Sequence, residues 1–309
     1  MTALEAVSSY LPPGVPVGDL RQELGLSDGE LWRFRRFYGL AEVCRAGDMS
    51  EAELLVAAAG KLEALRGREH LVRYVLQART VLTSAPYPIN PLAEVRDELG
   101  LGHALPYTLT QHTCASGLLA VDLAGRMLAT DGDPEALALV LTGERAFTPA
   151  AQLIPDVTIM GEGVAAILVR AGGGRDRLLG YATRTDGSFA TGMLLTPELA
   201  AGFHRVYQRA LTEVMAAAVR TAGISLGDLA LVLPHNVNKV SWTRAARGAG
   251  LPPERIFLDN VAVTGHCFSA DPFINYQTAR ERGLLQPGDR YLMVSVGLGA
   301  TFSAMVFEH

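Results

Sequence analysis

Cysteine is scarce in this chain of 309 residues, which contains three: Cys44, Cys114 and Cys267. The number is odd and no two of them have CxxC spacing. A disulfide framework or a common structural zinc site needs paired or closely spaced cysteines, so neither is indicated. Unpaired thiols suit a reducing compartment, and we expect a cytoplasmic protein.

A basic run and a long apolar run are also missing. The net charge is -5 and the pI is near 5.8, with no Lys/Arg-rich run that could follow a phosphate backbone. The longest apolar runs, such as ALALVL at 136–141, are far shorter than the ~20 residues that span a bilayer. The first residues, MTALEAVSSYLPPG, do not join a basic segment to an apolar one. We therefore expect no nucleic acid partner, no export and no membrane insertion.

The chain does contain ample apolar material for a core. Hydrophobic residues make up 49% and charged residues 19%, so one large domain or two closely packed halves both fit. Short β-rich runs alternate with amphipathic helical patterns, which is typical of an α/β fold with helix-covered sheets. The predicted strands are 71–80, 136–143, 164–171, 229–235, 290–297 and 302–308, and the predicted helices are 50–65, 116–129, 198–223 and 270–283.

A strand pair joined through a glycine-containing turn occurs twice. The first pair is ALALVLTGERA with GEGVAAILV, and the second is RYLMVSVGLGATFSAMVFE. A helix that begins in a short polar segment precedes each pair, HTCASG in the first case and TGHCFSAD in the second. The pattern predicts two duplicated halves, 1–172 with Cys114 and 173–309 with His235 and His266, facing each other across a pseudo-twofold axis.

Cys114 lies where the polar run TLTQHT changes into the small and apolar residues of a helix. A thiol at a helix N-terminus experiences the positive end of the macrodipole, which favours the thiolate, and the small neighbours leave room for a substrate. A lone cysteine in a globular protein is more often a small buried hydrophobe. Position alone therefore favours packing over chemistry for Cys114.

Two histidine segments change that balance. His235, in LVLPHNVNK, follows a predicted strand at its C-terminal edge, where α/β sheets often carry functional groups, although a loop histidine bonded to backbone also fits. His266, in DNVAVTGHCFSADPFIN, follows Gly265 in a tight turn, and Asp271 lies five residues further on. Asp271 before Pro272 also fits a helix N-cap with proline at the first helical position.

The motifs HTCASG, GEGVAAILV, LPHNVN, G-H-x-x-S-A at 265–270 and SVGLGATFSAMVF occur in this order over nearly the whole chain. As a set they resemble the thiolase superfamily, closest to its ketoacyl-acyl carrier protein synthase III branch. The resemblance implies a five-layer αβαβα fold and a cytoplasmic homodimer. It also implies a cysteine that accepts an acyl group from coenzyme A or an acyl carrier protein. Nothing in the sequence indicates a metal or a tightly bound redox cofactor.

The resemblance assigns roles to individual residues. Cys114 matches the acyl-accepting nucleophile, and its backbone N–H with that of Gly297 in SVGLG matches the oxyanion hole. The family's PHxxN motif corresponds to Pro234 through Asn238, which makes His235 catalytic and places Asn238 among the expected substrate-binding residues.

Two further matches concern substrate binding. Trp32 and Arg36 keep the W-x-x-x-R spacing that lies beside the coenzyme A entrance in the family, although this match is weaker and a surface aromatic and an arginine on an amphipathic helix also explain it. Tyr87, in TSAPYPIN, occupies the position from which the family's dimer partner closes the acyl pocket, and an ordinary Pro-flanked turn is the alternative.

One position departs from the family pattern, because His266 stands where the resemblance expects the asparagine of G-N-x-S-A-A-S. An asparagine can only offer fixed hydrogen bonds to a thioester carbonyl. A histidine with Asp271 on one ring nitrogen becomes a base that can deprotonate a hydroxyl or an amine. Similar replacements mark synthase III-like acyltransferases of specialised metabolism, while Cys-His-His branches of the superfamily still condense.

Three functions stay open at this point. The favoured one is acyl transfer from a coenzyme A or carrier-protein thioester through Cys114 to a small alcohol or amine. In it, His266 with Asp271 deprotonates the acceptor and His235 supports the thiolate and the leaving thiol. The first alternative is decarboxylative condensation with a malonyl thioester in fatty acid or polyketide synthesis. The second is a non-catalytic partner subunit, against which the retained Cys114 and His235 count.

Overall fold

The computed structural model describes residues 1–83, 88–192 and 195–309. The strands are β1 (Thr2–Tyr10), β2 (Gly14–Pro16), β3 (Glu42–Cys44), β4 (Val72–Ala78), β5 (Leu105–Leu109), β6 (Leu137–Thr142), β7 (Leu153–Ile154), β8 (Thr158–Ile159), β9 (Val164–Ala171), β10 (Arg177–Thr185), β11 (Leu231–Pro234), β12 (Arg290–Gly297) and β13 (Thr301–Glu308). The helices are α1 (Asp28–Trp32), α2 (Glu51–Ala59), α3 (Pro91–Glu98), α4 (Ser116–Asp131), α5 (Pro149–Gln152), α6 (Pro197–Thr221), α7 (Lys239–Ala249), α8 (Val261–Thr264) and α9 (Asp271–Glu281). Within the described ranges, no helix is both long and apolar enough to cross a bilayer.

Nine strands form one mixed sheet in the order β11-β12-β13-β10-β1-β9-β6-β4-β5. At its centre, β1 and β10 are joined by a single residue pair, Ala3 with Arg177. Outward from this junction the pairing repeats, because β1-β9-β6-β4 and β10-β13-β12-β11 each run antiparallel, antiparallel and then parallel. The repeated order supports a duplication, and the boundary between 172 and 173 stays a prediction.

Helices cover the sheet in three groups, each with its own apolar core. Helices α4 and α9 pack between the two half-sheets, α2 and α3 cover the outer face of the first half, and α6 and α7 cover that of the second. Strand β6 shows why, since Ala138 and Val140 enter the central core while Leu139 and Leu141 enter the outer one. The layers therefore follow the order αβαβα, which confirms the predicted fold class.

The predicted strands are all present, and three predicted helices correspond to α4, α6 and α9. The predicted helix over 50–65 is too long, because α2 ends at Ala59 and a separate 3-10 turn covers Glu63–Leu65. Gly60 follows the last helical residue, and the low helix propensity of glycine favours termination there. The chain then turns so that Leu62 packs into the same core as α2.

Candidate active site

Cys114 lies in the 3-10 turn Thr113–Ala115, directly before α4, and its side chain is buried. Thr113 has a φ of 47°, a left-handed conformation that a β-branched residue rarely adopts. Two hydrogen bonds connect this turn to residues of the second half of the chain. The Ser295 hydroxyl donates to the Cys114 carbonyl at 2.7 Å, and the Thr113 hydroxyl donates to the Leu298 carbonyl at 3.1 Å. The turn before α4 is thus fixed against the end of β12.

Gly297, the last residue of β12, lies against the same turn. A Cβ added at Gly297 would be 2.0 Å from the His112 carbonyl oxygen and 2.1 Å from Thr113 Oγ1. Both distances are far below van der Waals contact, so only glycine fits there. This approach brings the Gly297 backbone next to Cys114, as the oxyanion-hole prediction requires, and its role as a donor stays a prediction.

His266 and Asp271 meet in the interior, with His266 Nδ1 2.5 Å from Asp271 Oδ2 and both side chains at most 1% exposed. Asp271 is the first residue of α9 and does not cap it, because the N-cap residue is Ala270. The Asp271 carboxylate accepts the backbone N–H of Cys267 at 2.7 Å and that of Asn236 at 2.5 Å. The N-cap interpretation of Asp271 is therefore wrong, and its carboxylate is oriented toward the imidazole.

The two histidines differ in charge. Burial acts to lower the pKa of His266, but the Asp271 carboxylate and the Cys114 sulfur outweigh it and raise that pKa to about 10. Burial lowers the pKa of His235 well below its ordinary value, and the charge on His266 lowers it further. The rings lie 5.8 Å apart between centroids, with a protonated His266 and a neutral His235 at neutral pH.

The His266 and Asp271 pair predicts a pH-dependent stability. The pKa of His266 is about 6.5 in an unfolded chain and about 10 in the fold. Because the folded pKa is raised, the stabilisation is fully present below pH 6.5 and is lost as the pH rises through 10. We expect the free energy of unfolding, measured with urea, to fall over this window by on the order of a few kcal/mol more than in His266→Gln. Equal pH dependence in the two proteins would contradict the pair.

His235 follows β11, and its carbonyl accepts the Trp242 indole N–H at 2.8 Å. Its Nε2 lies 3.3 Å from the Tyr207 hydroxyl, and Nδ1 has no hydrogen-bond partner in the described part of the chain. Cys114 is among the groups that shift the pKa of His266 and is not among those that shift His235. The Cys114 sulfur therefore contributes to the raised pKa of His266, and support of the thiolate by His235 stays a prediction.

The backbone of His266 is held by the segment that follows β8. The His266 N–H donates to the Ile159 carbonyl at 3.1 Å, and the Gly161 N–H donates to the His266 carbonyl at 2.9 Å. A Cβ at Gly161 would lie 1.9 Å from the Thr264 carbonyl oxygen, so the first glycine of GEG permits this close approach. The GEG motif therefore holds the backbone of His266. The sequence alone predicts only that this motif lies at the turn between two strands.

Three buried asparagines behind the histidines were not predicted. Asn275 donates to the Pro234 carbonyl at 2.7 Å and to Asn236 Oδ1 at 2.8 Å, and Asn260 donates to Asn275 Oδ1 at 2.9 Å. These bonds connect the end of β11 with α9, so they fix His235 relative to Asp271. A signal was available, since Asn275 is four residues after Asp271 and shares its helix face.

A buried charged cluster beside Cys114 was also not predicted. Arg79 pairs with Glu51 and with Glu144, the latter at 3.3 Å. Burial raises the pKa of Glu144 to about 7, although Arg79 opposes this shift. The Glu144 carboxylate accepts the Thr80 N–H at 2.5 Å, and the Thr80 hydroxyl lies 3.5 Å from the Cys114 sulfur as a donor. By binding the Thr80 backbone, the cluster holds the Thr80 hydroxyl beside the Cys114 sulfur.

A pocket of about 300 Å³ reaches Cys114, His235, His266 and Gly297 together. Its walls are mostly apolar, and they include Ile154, Pro155, Val157, Phe203, Tyr207, Val237, Val296 and Leu298. Asp271 lies behind His266 and does not line the pocket. The structure thus brings the predicted nucleophile, both histidines and the predicted oxyanion-hole residue to one cavity. Among the described residues, no group of three His, Cys, Asp or Glu could hold a metal ion.

Trp32 and Arg36 lie outside this pocket. Trp32 ends α1 and is 57% exposed, and Arg36 lies in the π-helical turn Arg33–Tyr38 that follows. Trp32 lines a surface groove that shares Val157, His204 and Ser241 with the pocket. Arg36 and Trp32 line a second, adjacent depression. Both residues are thus near the mouth of the pocket, and their contact with coenzyme A stays a prediction.

Asn238 is engaged within the protein. Its Oδ1 accepts the Ser241 N–H at 2.8 Å and so caps α7, while its Nδ2 donates to the Val157 carbonyl at 3.0 Å. Asn238 also lines the surface groove, and substrate binding by it stays a prediction. Tyr87, the predicted cross-subunit wall residue, lies outside the described residues.

The chain is similar to known proteins over most of its length. Residues 219–309 match the family model described as 3-oxoacyl-[acyl-carrier-protein (ACP)] synthase III C terminal. The beta-ketoacyl-[acyl-carrier-protein] synthase III of Rhizorhabdus wittichii is 25% identical over 231 residues, 70% of each chain. The protein of the same name from Nitratidesulfovibrio vulgaris is 27% identical over 244 residues, 71% of each chain.

Two solved structures share the fold over essentially the whole length. The acyltransferase ChlB3 matches with a TM-score of 0.87 and 23% identity over 99% of this chain and 97% of its own. The 3-oxoacyl-[acyl-carrier-protein] synthase III of Aquifex aeolicus VF5 matches with a TM-score of 0.82 and 20% identity over 100% of both chains. The C-terminal match, the curated relatives and the common fold together support the thiolase superfamily and its ketoacyl-acyl carrier protein synthase III-like branch of condensing and acyl-transferring enzymes.

Proposed function

We propose that the protein transfers an acyl group from a thioester donor, through a thioester on Cys114, to the oxygen of an alcohol or the nitrogen of an amine. The observation that carries this proposal is the buried contact between His266 Nδ1 and Asp271 Oδ2 at 2.5 Å, directly behind a pocket that His266 lines together with Cys114. An imidazole held by a carboxylate next to a thiol is the arrangement of a nucleophile with its general base.

In the first half-reaction, Cys114 and His266 start as thiolate and imidazolium, in line with the raised pKa of His266. The thiolate attacks the donor carbonyl, and backbone N–H groups of Cys114 and Gly297 stabilise the oxyanion. The carbon–sulfur bond to the donor then breaks, and the departing thiolate takes the proton from His266. The products are an acylated Cys114, a free thiol and a neutral His266.

In the second half-reaction, the neutral His266 accepts the proton of the acceptor hydroxyl or amine while the acceptor attacks the acyl carbon. The bond from that carbon to Cys114 breaks, so an ester or amide leaves and the thiolate with its imidazolium partner is restored. Asp271 stabilises the imidazolium at each stage and keeps the other ring nitrogen aimed into the pocket.

The donor is proposed to be an acyl-coenzyme A or an acylated carrier protein, since the curated relatives are named for acyl carrier protein. The surface groove next to the pocket supports this, because it is lined by Trp32 and Arg244, together with an Arg33 that is paired with Asp156 in the same groove. Guanidinium groups match phosphates, and an exposed indole can stack on a base. The proposed reaction uses no metal and no tightly bound cofactor. We propose that the protein acts in the cytoplasm.

A homodimer is proposed through β5, the edge strand of the nine-stranded sheet. Leu105 and Tyr107 of β5 are 55% and 42% exposed, and an apolar edge strand is a common pairing surface. Light scattering should give twice the mass of one chain, and a monomer at micromolar concentration would contradict the dimer.

The proposed transfer is tested in two steps. Intact-mass measurement with a panel of acyl-coenzyme A donors should show one acyl group on Cys114, and an unmodified protein across the panel would favour a non-catalytic partner subunit. The acylated protein is then given a panel of alcohols and amines, and in parallel malonyl-coenzyme A. Ester or amide products without carbon dioxide release support the proposal.

Decarboxylative condensation is the second candidate, and the names of the curated relatives favour it. In that reaction His235 and His266 would both hold the malonyl carbonyl. Carbon dioxide release with a β-ketoacyl product, and no ester or amide, would replace the first proposal with this one.

Gly297→Ala is expected to slow acylation of Cys114 roughly 100-fold, because a displacement of about 1 Å at a reacting group has this effect. The added methyl would overlap the His112 carbonyl and the Thr113 hydroxyl, so the Cys114 turn must shift. The rate is measured by mass spectrometry after mixing with acyl-coenzyme A. Gly18→Ala is the control, since a Cβ there meets nothing within 4 Å. An unchanged rate in Gly297→Ala would show that the turn has room to move.

A further inference from the structure

Tyr207 of α6 lines the pocket together with Phe203 and His204 of the same helix. Its ring packs edge-on against Phe203 and Phe302, with centroid distances of 5.5 and 5.7 Å, and these contacts fix its direction. Its hydroxyl lies 3.3 Å from His235 Nε2. Burial raises the pKa of Tyr207, so the phenol keeps its proton at neutral pH. The hydroxyl is therefore a permanent hydrogen-bonding partner for the imidazole.

His235 has little freedom to turn away from this contact. The residue is 1% exposed, its carbonyl is bound by the Trp242 indole, and its ring stands edge-on to that indole at 5.2 Å. Nε2 is the ring nitrogen that meets Tyr207. Whichever of the two atoms carries the shared proton, the hydrogen-bonding position at Nε2 is filled by the phenol.

This matters because the two candidate reactions make different demands on His235. In condensation, the malonyl carbon–carboxylate bond breaks and carbon dioxide leaves. The electron pair forms an enolate whose oxygen needs hydrogen-bond donors, and the enolate carbon then attacks the acyl carbon and displaces the Cys114 thiolate. Transfer to oxygen or nitrogen forms no enolate, and it needs one base, which His266 provides.

We propose that Tyr207 is a positioning residue that engages His235 Nε2 and thereby suppresses decarboxylative condensation relative to transfer. The proposal rests on the proposed acyl transfer and deepens it, because it names the contact that decides between carbon and oxygen or nitrogen as the acceptor atom. The phenol thereby takes His235 Nε2 away from an enolate oxygen, while His266 stays available to it.

The test uses the full-length protein, butyryl-coenzyme A as the acyl donor and malonyl-coenzyme A as the extender. Tyr207→Phe keeps the ring between Phe203 and Phe302 and removes only the hydroxyl. We expect the variant to release carbon dioxide from malonyl-coenzyme A about 10-fold faster per acylated Cys114, which corresponds to one hydrogen bond. Tyr10→Phe is the matched control and should show no increase, because the Tyr10 hydroxyl donates to the Met49 sulfur at 3.5 Å and Tyr10 does not line the pocket.

A second substitution separates this role from general loosening of the pocket. Adding His235→Ala to Tyr207→Phe should remove the gain, because His235 is the group that the phenol restrains. Tyr207→Leu should release carbon dioxide as fast as Tyr207→Phe. The proposal is overturned if Tyr207→Phe releases carbon dioxide no faster than the unsubstituted protein, or if the gain persists without His235. Failure of the proposed transfer is a separate result, seen as the absence of any ester or amide from the unsubstituted protein.

Discussion

Cys114→Ala is expected to abolish acylation and to reduce acyl transfer by at least about 1,000-fold, because removal of a covalent nucleophile leaves only binding and oxyanion stabilisation. The thiol is buried at the inner end of the pocket, and its turn is fixed by Ser295 and Leu298. Intact mass after exposure to acyl-coenzyme A measures the first effect, and product formation measures the second.

Cys44→Ala is the matched control for that experiment. Burial raises the pKa of Cys44 to about 12, so its thiol stays protonated and unreactive, and it does not line the pocket. Acylation of the control should equal that of the unsubstituted protein. A Cys114→Ala protein that still transfers acyl groups at the normal rate would rule out the acyl-enzyme.

Asp271→Asn is expected to reduce transfer by roughly 100-fold to 10,000-fold, the range seen when an oriented imidazole loses its carboxylate. Without the carboxylate, burial dominates and lowers the pKa of His266 from about 10 to below its ordinary value. The thiolate of Cys114 then loses its imidazolium partner. Acylation at neutral pH should therefore fall, and the pH profile of the variant should shift relative to that of the unsubstituted protein.

The pH profile distinguishes this loss from simple misfolding, since a structural defect lowers the rate without moving the profile. Asp259→Asn is the control, because Asp259 forms an exposed ion pair with Arg282 at 2.6 Å. The assignment of Asp271 fails if Asp271→Asn retains both the rate and the pH profile of the unsubstituted protein.

The strands with continuous apolar runs can be predicted from the sequence, whereas the strands of mixed polarity cannot. Strand β9, VAAILVRA, is buried on both faces through most of its length, and its composition alone identifies it. Strand β10, RLLGYATRT, has mixed polarity and a register shift between Leu178 and Gly180, and it was not predicted. Strand β5 is largely exposed, so it lacks the apolar pattern of a core strand.

The site residues likewise fall into those that the sequence predicts and those that it does not. Cys114, His235 and His266 lie in short motifs whose turn residues and spacing are visible locally, and the structure gathers them around one pocket. Tyr207 belongs to a helix of 25 residues in which an aromatic on the inner face resembles ordinary core packing. Its contact with His235 joins residues 28 positions apart on different elements, so only the packing of α6 against the sheet creates it.

The hydrogen bonds of the Cys114 turn have a consequence for the order of folding. The thiol belongs to the first half of the chain, whereas Ser295 and Leu298, which hold its turn, belong to the second. Helices and strands of either half can form early, but a left-handed Thr113 becomes stable only when β12 has docked beside it. During refolding, the ability to accept an acyl group should therefore return after the secondary structure, which makes acylation a reporter of the last assembly step.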